Sequence, residues 1–291
     1  MRPACSSGSG HGDPSTDASW FAIGAAKFDY CFDFSRTDRS AFLTLLSAAD
    51  SRVTYDTVRR EPVRQLSYNQ FIPSQVRTAH TVDHHLALLA PLGVHDASRE
   101  VHLVLPPWAL EKAGKLAFAH GLDDGFIVLH PGSARAEKFW VPRRWAEVAD
   151  HFQAEAPQRF VLTGGPSAME QKHIAAIKAA AQHPILDLSG QIDLLTLAAL
   201  FQRTRLLVTI DSASMHLASA LGTPQVALFG PTNPFHWRPR SSPALILQGS
   251  GPAPVTEFTP KQTPATMKDI STAQVIDAMQ SLLSQPAASR S

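Results

Sequence analysis

Several corners of this chain combine hydroxyls, small residues and a charge directly after an apolar run. "LLVTI" (206–210) leads into "DSASMH", which sets Asp211, Ser212, Ser214 and His216 at the start of a short helix. "FIVLH" (126–130) leads into "PGSARAEKFW", with Ser133, Arg135 and Lys138 ahead of Pro142. "RFVLT" leads into "GGPSAMEQ", where Gly164 and Gly165 let a ligand approach the backbone and Glu170 follows in the first helical turn. "QVALF" leads into "GPTNPFHW", with Thr232 and Asn233 between two prolines. Small residues, hydroxyls and helix starts are the ingredients of a phosphate site. A nucleotide diphosphate is the expected ligand, held by helix dipoles and one or two cations.

Each residue taken singly has a plainer explanation. Asp211 and Ser212 serve as well for a helix cap, the glycine pair for a turn, Lys138 for a solvated surface lysine and His216 for a rim histidine. What favours a site is that all of them fall at strand ends, where open α/β sheets collect ligands. His80, His84 and His85 include positions four apart on a helix, but no third ligand accompanies them, so they read as exposed imidazoles. No D-x-D pair of the kind that holds a catalytic divalent ion is present. The expectation is therefore no metal and no cofactor.

The elements that must position these corners follow from periodicity. Six apolar runs read as strands: 126–130, 159–165, 185–188, 206–210, 225–229 and 244–248. Between them lie helices whose apolar faces carry Trp145, Val148, Ala149 and Phe152, then Met169, Ile174 and Ile177, then Leu194, Leu197, Ala198 and Phe201. Alternating strands and helices with nearly all-apolar strands describe a parallel sheet covered on both faces, a Rossmann-like domain. The tail places Val275, Met279, Leu282 and Leu283 on a last helix. Earlier in the chain, "FDYCFDF" and "DRSAFLTLLSAA" predict a βα unit with Phe42, Leu45 and Leu46 on one side of the helix. Residues 59–79 read as irregular and "HTVDHHLALLAPLGV" as a helix ending near Gly93. "EVHLVLPP" reads as extended, a linker is expected at 119–125, and residues 1–19 read as a disordered leader.

The 291 residues allow two domains. With 26 Lys plus Arg against 25 Asp plus Glu there is no field to suggest nucleic acid or a polybasic membrane anchor. Two cysteines, no long apolar run and no signal-like start point to the cytoplasm. An NAD-dependent oxidoreductase is disfavoured because no G-x-G-x-x-G turn follows a strand.

The quoted corners occur within longer stretches: "VLHPGSARAEKFWVPRRWAEVADHF", "FVLTGGPSAMEQ", "LDLSGQIDLLTLAALF", "LLVTIDSASMHLASALGTPQVALFGPTNPFHW" and "MKDISTAQVIDAMQSLL". In this order, from about residue 126 to 285, they resemble the C-terminal half of the glycosyltransferase family 9 heptosyltransferases. "KFDYCFDFSRTDRSAFLTLLSAADSRV" and "HTVDHHLALLAPLGV" resemble that family's N-terminal domain, particularly the lipopolysaccharide heptosyltransferase III branch.

The resemblance implies an α/β, GT-B-like architecture of two Rossmann-like domains with parallel sheets. Its expected layout is an incomplete acceptor-side domain at 20–121, a donor domain at 122–270 and a C-terminal helix at 271–285. It also implies inverting, metal-independent transfer of heptose from an ADP-sugar to the lipopolysaccharide core, with peripheral contact at the cytoplasmic face of the inner membrane as a further expectation. Lys138 matches the lysine that meets the donor diphosphate and would stabilise departing ADP. Ser133 matches the hydroxyl of the P-G-S loop, and Gly164 falls in the T-G-G-P corner. Glu170 matches the acidic residue that contacts the nucleoside. Asp211, Ser212, Ala213, Met215 and His216 match the D-S-G-P-M-H-L-A motif, with Ala213 for its glycine and Ser214 for its proline. The family also opens with a strand and a Gly-Asp corner whose aspartate is the proposed base. Here Gly12-Asp13 follows no apolar strand, so the base is expected to be missing unless Asp13 serves after all or Asp33 or Asp38 takes the role. The competing expectation is a non-catalytic nucleotide-binding remnant.

Overall fold

The computed structural model describes residues 22–155, 158–249 and 251–285. The leader and the Gly12-Asp13 pair lie outside them. The chain forms two compact units, Met1–Ser98 and Arg99–Ser291.

The first unit carries a parallel sheet of β1 (Tyr30–Phe32), β2 (Ser51–Tyr55) and β3 (Gln70–Ile72) in that order. Helix α1 (Asp38–Leu46) crosses between β1 and β2, and its start is fixed by a capping box of Thr37 and Ser40. It buries Ala41 and Thr44, while Phe42 and Leu45 are about half exposed. The side that carries Phe42, Leu45 and Leu46 is thus not the one the helix buries, which lies one step around. Ala41 packs with Val58 and Tyr68, small against large. The stretch 59–79 also holds a strand, β3, which its polar flanks conceal in the sequence. Helix α2 (Thr81–Leu86) tightens into a 3-10 turn, Ala87–Leu92, and ends at Gly93 in the left-handed region, φ 71°.

The second unit begins well before the expected 119–125 linker. Helix α3 (Pro107–Ala119) buries Ala109, Ala113 and Ala117 on one stripe, where Ala198 and Ala199 pack closely against the first two. Alanines at this spacing make a weak apolar signal, so periodicity does not announce the helix. Residues 120–125 are only its turn into the sheet, with Gly121 and Gly125 both at positive φ. "EVHLVLPP" forms no strand.

The rest is the expected strand–helix alternation: β4 (Phe126–His130), α4 (Pro142–Glu155), β5 (Arg159–Leu162), α5 (Ala168–Ala180), β6 (Leu186–Asp187), α6 (Leu194–Arg203), β7 (Leu206–Ile210), α7 (Ala213–Ala220) and β8 (Gln225–Phe229). A short helix α8 (Pro234–Trp237), β9 (Ala244–Gln248) and α9 (Thr272–Leu283) complete it. β5 and β6 are shorter than their apolar runs suggest. The sheet is fully parallel with order β6-β5-β4-β7-β8-β9.

Side chains alternate across it. Ile127, Leu129, Leu162, Val208 and Ile210 meet Trp145, Val148, Ile174, Ile177 and Met279 on one face. Phe126, Val128, Val161 and Leu207 meet Ala117, Leu197, Leu200 and Phe201 on the other. The apolar faces foreseen for α4 and α9 are therefore used. On α5 and α6 the first predicted members, Met169 and Leu194, stay exposed because they precede the stretch that lies over the sheet.

Candidate functional site

Strand order reverses between β4 and β7, the place where an open parallel sheet parts its helices to either side and leaves a crevice at the strand ends. A cleft of about 720 Å³ opens there. It is lined by the corners after β4, β5, β7 and β8, together with residues that precede and begin α6.

At its centre Lys138 Nζ donates to Asp211 Oδ2 at 2.7 Å and to the Asp211 carbonyl at 3.2 Å. Thr232 Oγ1 donates to the same Asp211 oxygen at 2.6 Å. Only 14 % of the lysine side chain and 8 % of the aspartate are exposed, so water screens this pair weakly. The loop that carries Lys138 is pinned by the two aromatic residues immediately after it. Phe139 stacks on His173 at 4.3 Å, and Trp140 is fully buried with its indole N–H on the Ile270 carbonyl at 3.0 Å.

Ser212 caps α7 without any side-chain bond to the helix backbone, and Ser212, Ala213 and Ser214 all line the cleft. The first-turn amides of a helix have no intrahelical acceptor, so this corner offers donors and the positive dipole end to an anion.

Glu170 sits one strand away. Its Oε2 accepts the Gly165 N–H at 2.7 Å, and Ser167 caps α5 by accepting Glu170 N–H at 3.3 Å. A Cβ at Gly132 would overlap Glu170 Oε2, so this glycine makes the room in which the carboxylate lies. Gly164 is equally constrained, since a Cβ there would come 2.7 Å from Ile174 Cδ1.

His130 is a cleft residue that the sequence reading does not single out. As the last residue of β4 it shares the face of Phe126 and Val128 and therefore points toward α6 and α7. Its Nδ1 pairs with Thr163 Oγ1 and its Nε2 with Ser214 Oγ, each at 2.9 Å. Burial lowers its pKa to about 4, so the ring is neutral at pH 7. The available signal is a polar residue ending an apolar strand.

Of the residues expected in the site, Ser133, Lys138, Gly164, Glu170, Asp211, Ser212, Ala213 and His216 all line one cleft. Met215 does not. It is fully buried, packed with Ala227, Phe229 and Ile246 behind the cleft. The His216 ring is exposed on the rim. Partial desolvation lowers its pKa; Asp211 opposes that shift and Lys138 adds to it.

The histidines of the first unit are not the exposed imidazoles expected. His84 is buried and stacks on Tyr55 at 4.0 Å, and His85 Nδ1 lies 2.7 Å from the Tyr55 hydroxyl. His80 Nδ1 accepts the Val82 N–H at the start of α2. Among the described residues no three His, Cys, Asp or Glu side chains gather as a metal cage. Asp33 is occupied structurally: it accepts from Ser35, Arg36, Ser40 and Tyr68. Burial alone would raise its pKa, but hydrogen bonds led by that of Tyr68 outweigh it and hold the carboxyl below its usual value. Asp38 lies at the surface in an ion pair with Arg64. No helix among the described residues is long and apolar enough to cross a membrane.

Residues 18–259 match glycosyltransferase family 9 (heptosyltransferase). Lipopolysaccharide heptosyltransferase 3 of Escherichia coli is 27 % identical over 223 residues, which is 75 % of this chain and 64 % of that protein. The protein of the same name from strain K12 is 30 % identical over 182 residues, covering 62 % of this chain and 52 % of its own length. The chain thus spans between about half and two thirds of these curated relatives. Among solved structures, a glycosyl transferase family 9 protein from Veillonella parvula superposes with a TM-score of 0.77 at 26 % identity, covering 92 % of this chain and 77 % of that one. E. coli ADP-heptose lps heptosyltransferase II shares the fold, with a TM-score of 0.73 at 21 % identity over 91 % of this chain and 79 % of its own. Both neighbours are GT-B-type glycosyltransferases. The sequence match over most of the chain, the doubly wound sheet and the cleft at its switch point make this protein a member of glycosyltransferase family 9.

Proposed function

We propose that the chain binds an ADP-activated heptose in the second unit and takes part in its transfer, with inversion, to the lipopolysaccharide inner core. The observation that carries this reading is the position of Lys138. It is a nearly buried cation at the strand-order switch point, facing a helix start with no side-chain cap and lying between a carboxylate corner on β5 and a hydroxyl corner on β8. A leaving diphosphate gains charge as the glycosidic bond breaks. Lys138 and the α7 dipole are fixed donors beside that charge, so they stabilise the transition state without reorganising. The diphosphate is then neutralised by protein groups, and no metal is required. Glu170, whose carboxylate accepts the Gly165 N–H, contacts the nucleoside in this reading. The acceptor is taken by the first unit, at the cytoplasmic face of the inner membrane.

Titration calorimetry with ADP and with ADP-L-glycero-D-manno-heptose tests the donor half, and turnover with a heptose-deficient core lipopolysaccharide tests the transfer. Binding of both ligands followed by release of ADP is the expected result. Folded protein that binds neither ligand would overturn the reading.

A further inference from the structure

One wall of the cleft has no role in the nucleotide reading above. Trp237 lines it from the β8 side with 42 % of its surface exposed. Among the described residues its indole makes no hydrogen bond and no ring contact. An indole so exposed and unpartnered is not there for the core. Nor is it on a loose loop: Asn233 Oδ1 accepts Phe235 N–H, and Asn233 Nδ2 donates to the carbonyls of Thr259 and Pro260 at 2.9 and 3.2 Å. Arg238 then ties the other end, donating to the Phe235 carbonyl at 2.8 Å and lying over the Phe258 ring at 4.3 Å. The backbone on both sides of the ring is held, and the ring faces the cleft.

Strand order gives the wall a meaning. Along the sheet edge, β6 and β5 present Ile192, Leu194 and Glu170, β4 and β7 present Lys138 and Asp211, and β8 presents Thr232 and Trp237. From β5 to β8 is three strand spacings, roughly 14 Å. The order apolar wall with carboxylate, then cation, then hydroxyl with aromatic face repeats the order nucleoside, diphosphate, sugar. A sugar ring has a face of C–H groups flanked by hydroxyls, and an aromatic plane with polar groups beside it matches both.

We propose that Trp237 is the stacking platform for the donor's sugar ring, with Thr232 beside it, and that it selects the sugar rather than the nucleotide. This rests on the nucleotide-sugar reading above. The assignment is specific to the ring, because the phosphate-binding groups lie on the other strands.

The test is calorimetry of the full chain with ADP and with ADP-heptose, on the wild type and on Trp237→Ala and Trp237→Phe. The wild type binds ADP-heptose more tightly than ADP. Trp237→Ala loses about tenfold for ADP-heptose, the scale of one aromatic contact, and less than about twofold for ADP. Trp237→Phe recovers most of the loss, which a role in backbone structure would not predict. Because the ring is exposed, both variants keep the wild-type melting temperature. Equal losses for the two ligands would place the nucleobase on Trp237 and overturn the proposal, as would unchanged ADP-heptose affinity in Trp237→Ala. Wild-type protein that binds ADP but gains nothing from the sugar would overturn it while leaving the nucleotide site standing. Wild-type protein that binds neither ligand would overturn both readings.

Discussion

Lys138 and Asp211 are 73 residues apart in sequence, yet Nζ and Oδ2 meet at 2.7 Å across the two strands where the sheet order reverses. Their pairing gives the cleft a cation that is already desolvated and aimed before a ligand arrives. An anionic ligand that reaches Lys138 gains a charge-assisted hydrogen bond and adds to, rather than creates, the order of the loop.

Lys138→Ala is expected to weaken ADP binding by about 1–3 kcal/mol, the range for a hydrogen bond to a charged group. Calorimetry at fixed ionic strength measures it. Unchanged affinity would remove Lys138 from the site.

Gly132→Ala should fold normally and bind ADP more weakly. The added methyl overlaps the end of the flexible Glu170 side chain, which moves off the Gly165 N–H at little cost in stability. The signature is non-additivity: in a Glu170→Ala background, Gly132→Ala should add almost nothing to the loss. Additive losses would separate the two residues.

The buried histidines predict acid sensitivity. The folded-state pKa of His130 is lowered by burial from 6.5 to about 4, so between these values the unfolded chain binds more protons than the native one. Stability from this residue is complete above about pH 6.5 and is lost as the pH falls toward about 4. His84 and His173 are likewise held near 4 by burial and act in the same sense. Urea unfolding at a series of pH values should show this slope, and His130→Gln should make it shallower. An equal slope in the variant would mean that the ring is not buried neutral.

Trp140→Ala should cost about 3–5 kcal/mol of unfolding free energy, as for other buried aromatic truncations, because it opens a cavity beside Trp145. Trp140→Phe should cost less, since its ring fills most of that cavity, while the Ile270 carbonyl keeps the Arg144 donor in both variants. Chemical denaturation decides the order, and equal losses for the two variants would contradict it.

His216→Asn should leave the pH dependence of any turnover unchanged while modestly weakening donor binding, since the ring stands on the rim of the donor cleft. Loss of a limb near the imidazole pKa would make His216 a proton-transfer group instead.

The second unit's alternation of strands and helices, and the corners that form the cleft, are legible in the amino-acid pattern alone. Those features are local: an apolar run of strand length, a turn residue and a helix start are written within a few adjacent positions. Glu170, Ser212 and Lys138 are readable for that reason. Pairings and sides come instead from long-range packing. Strand order sets Lys138 against Asp211, and the parity of β4 turns His130 toward Ser214. The same packing takes Met215 out of the cleft and into the core. Helix α3 joins the second unit because alanines at close contact bury well against other alanines, a gain that depends on the partner surface and leaves little trace in a hydropathy pattern. Periodicity reports which residues seek burial; which partner satisfies them, and which polar groups thereby meet, depends on contacts between distant segments that no local pattern encodes.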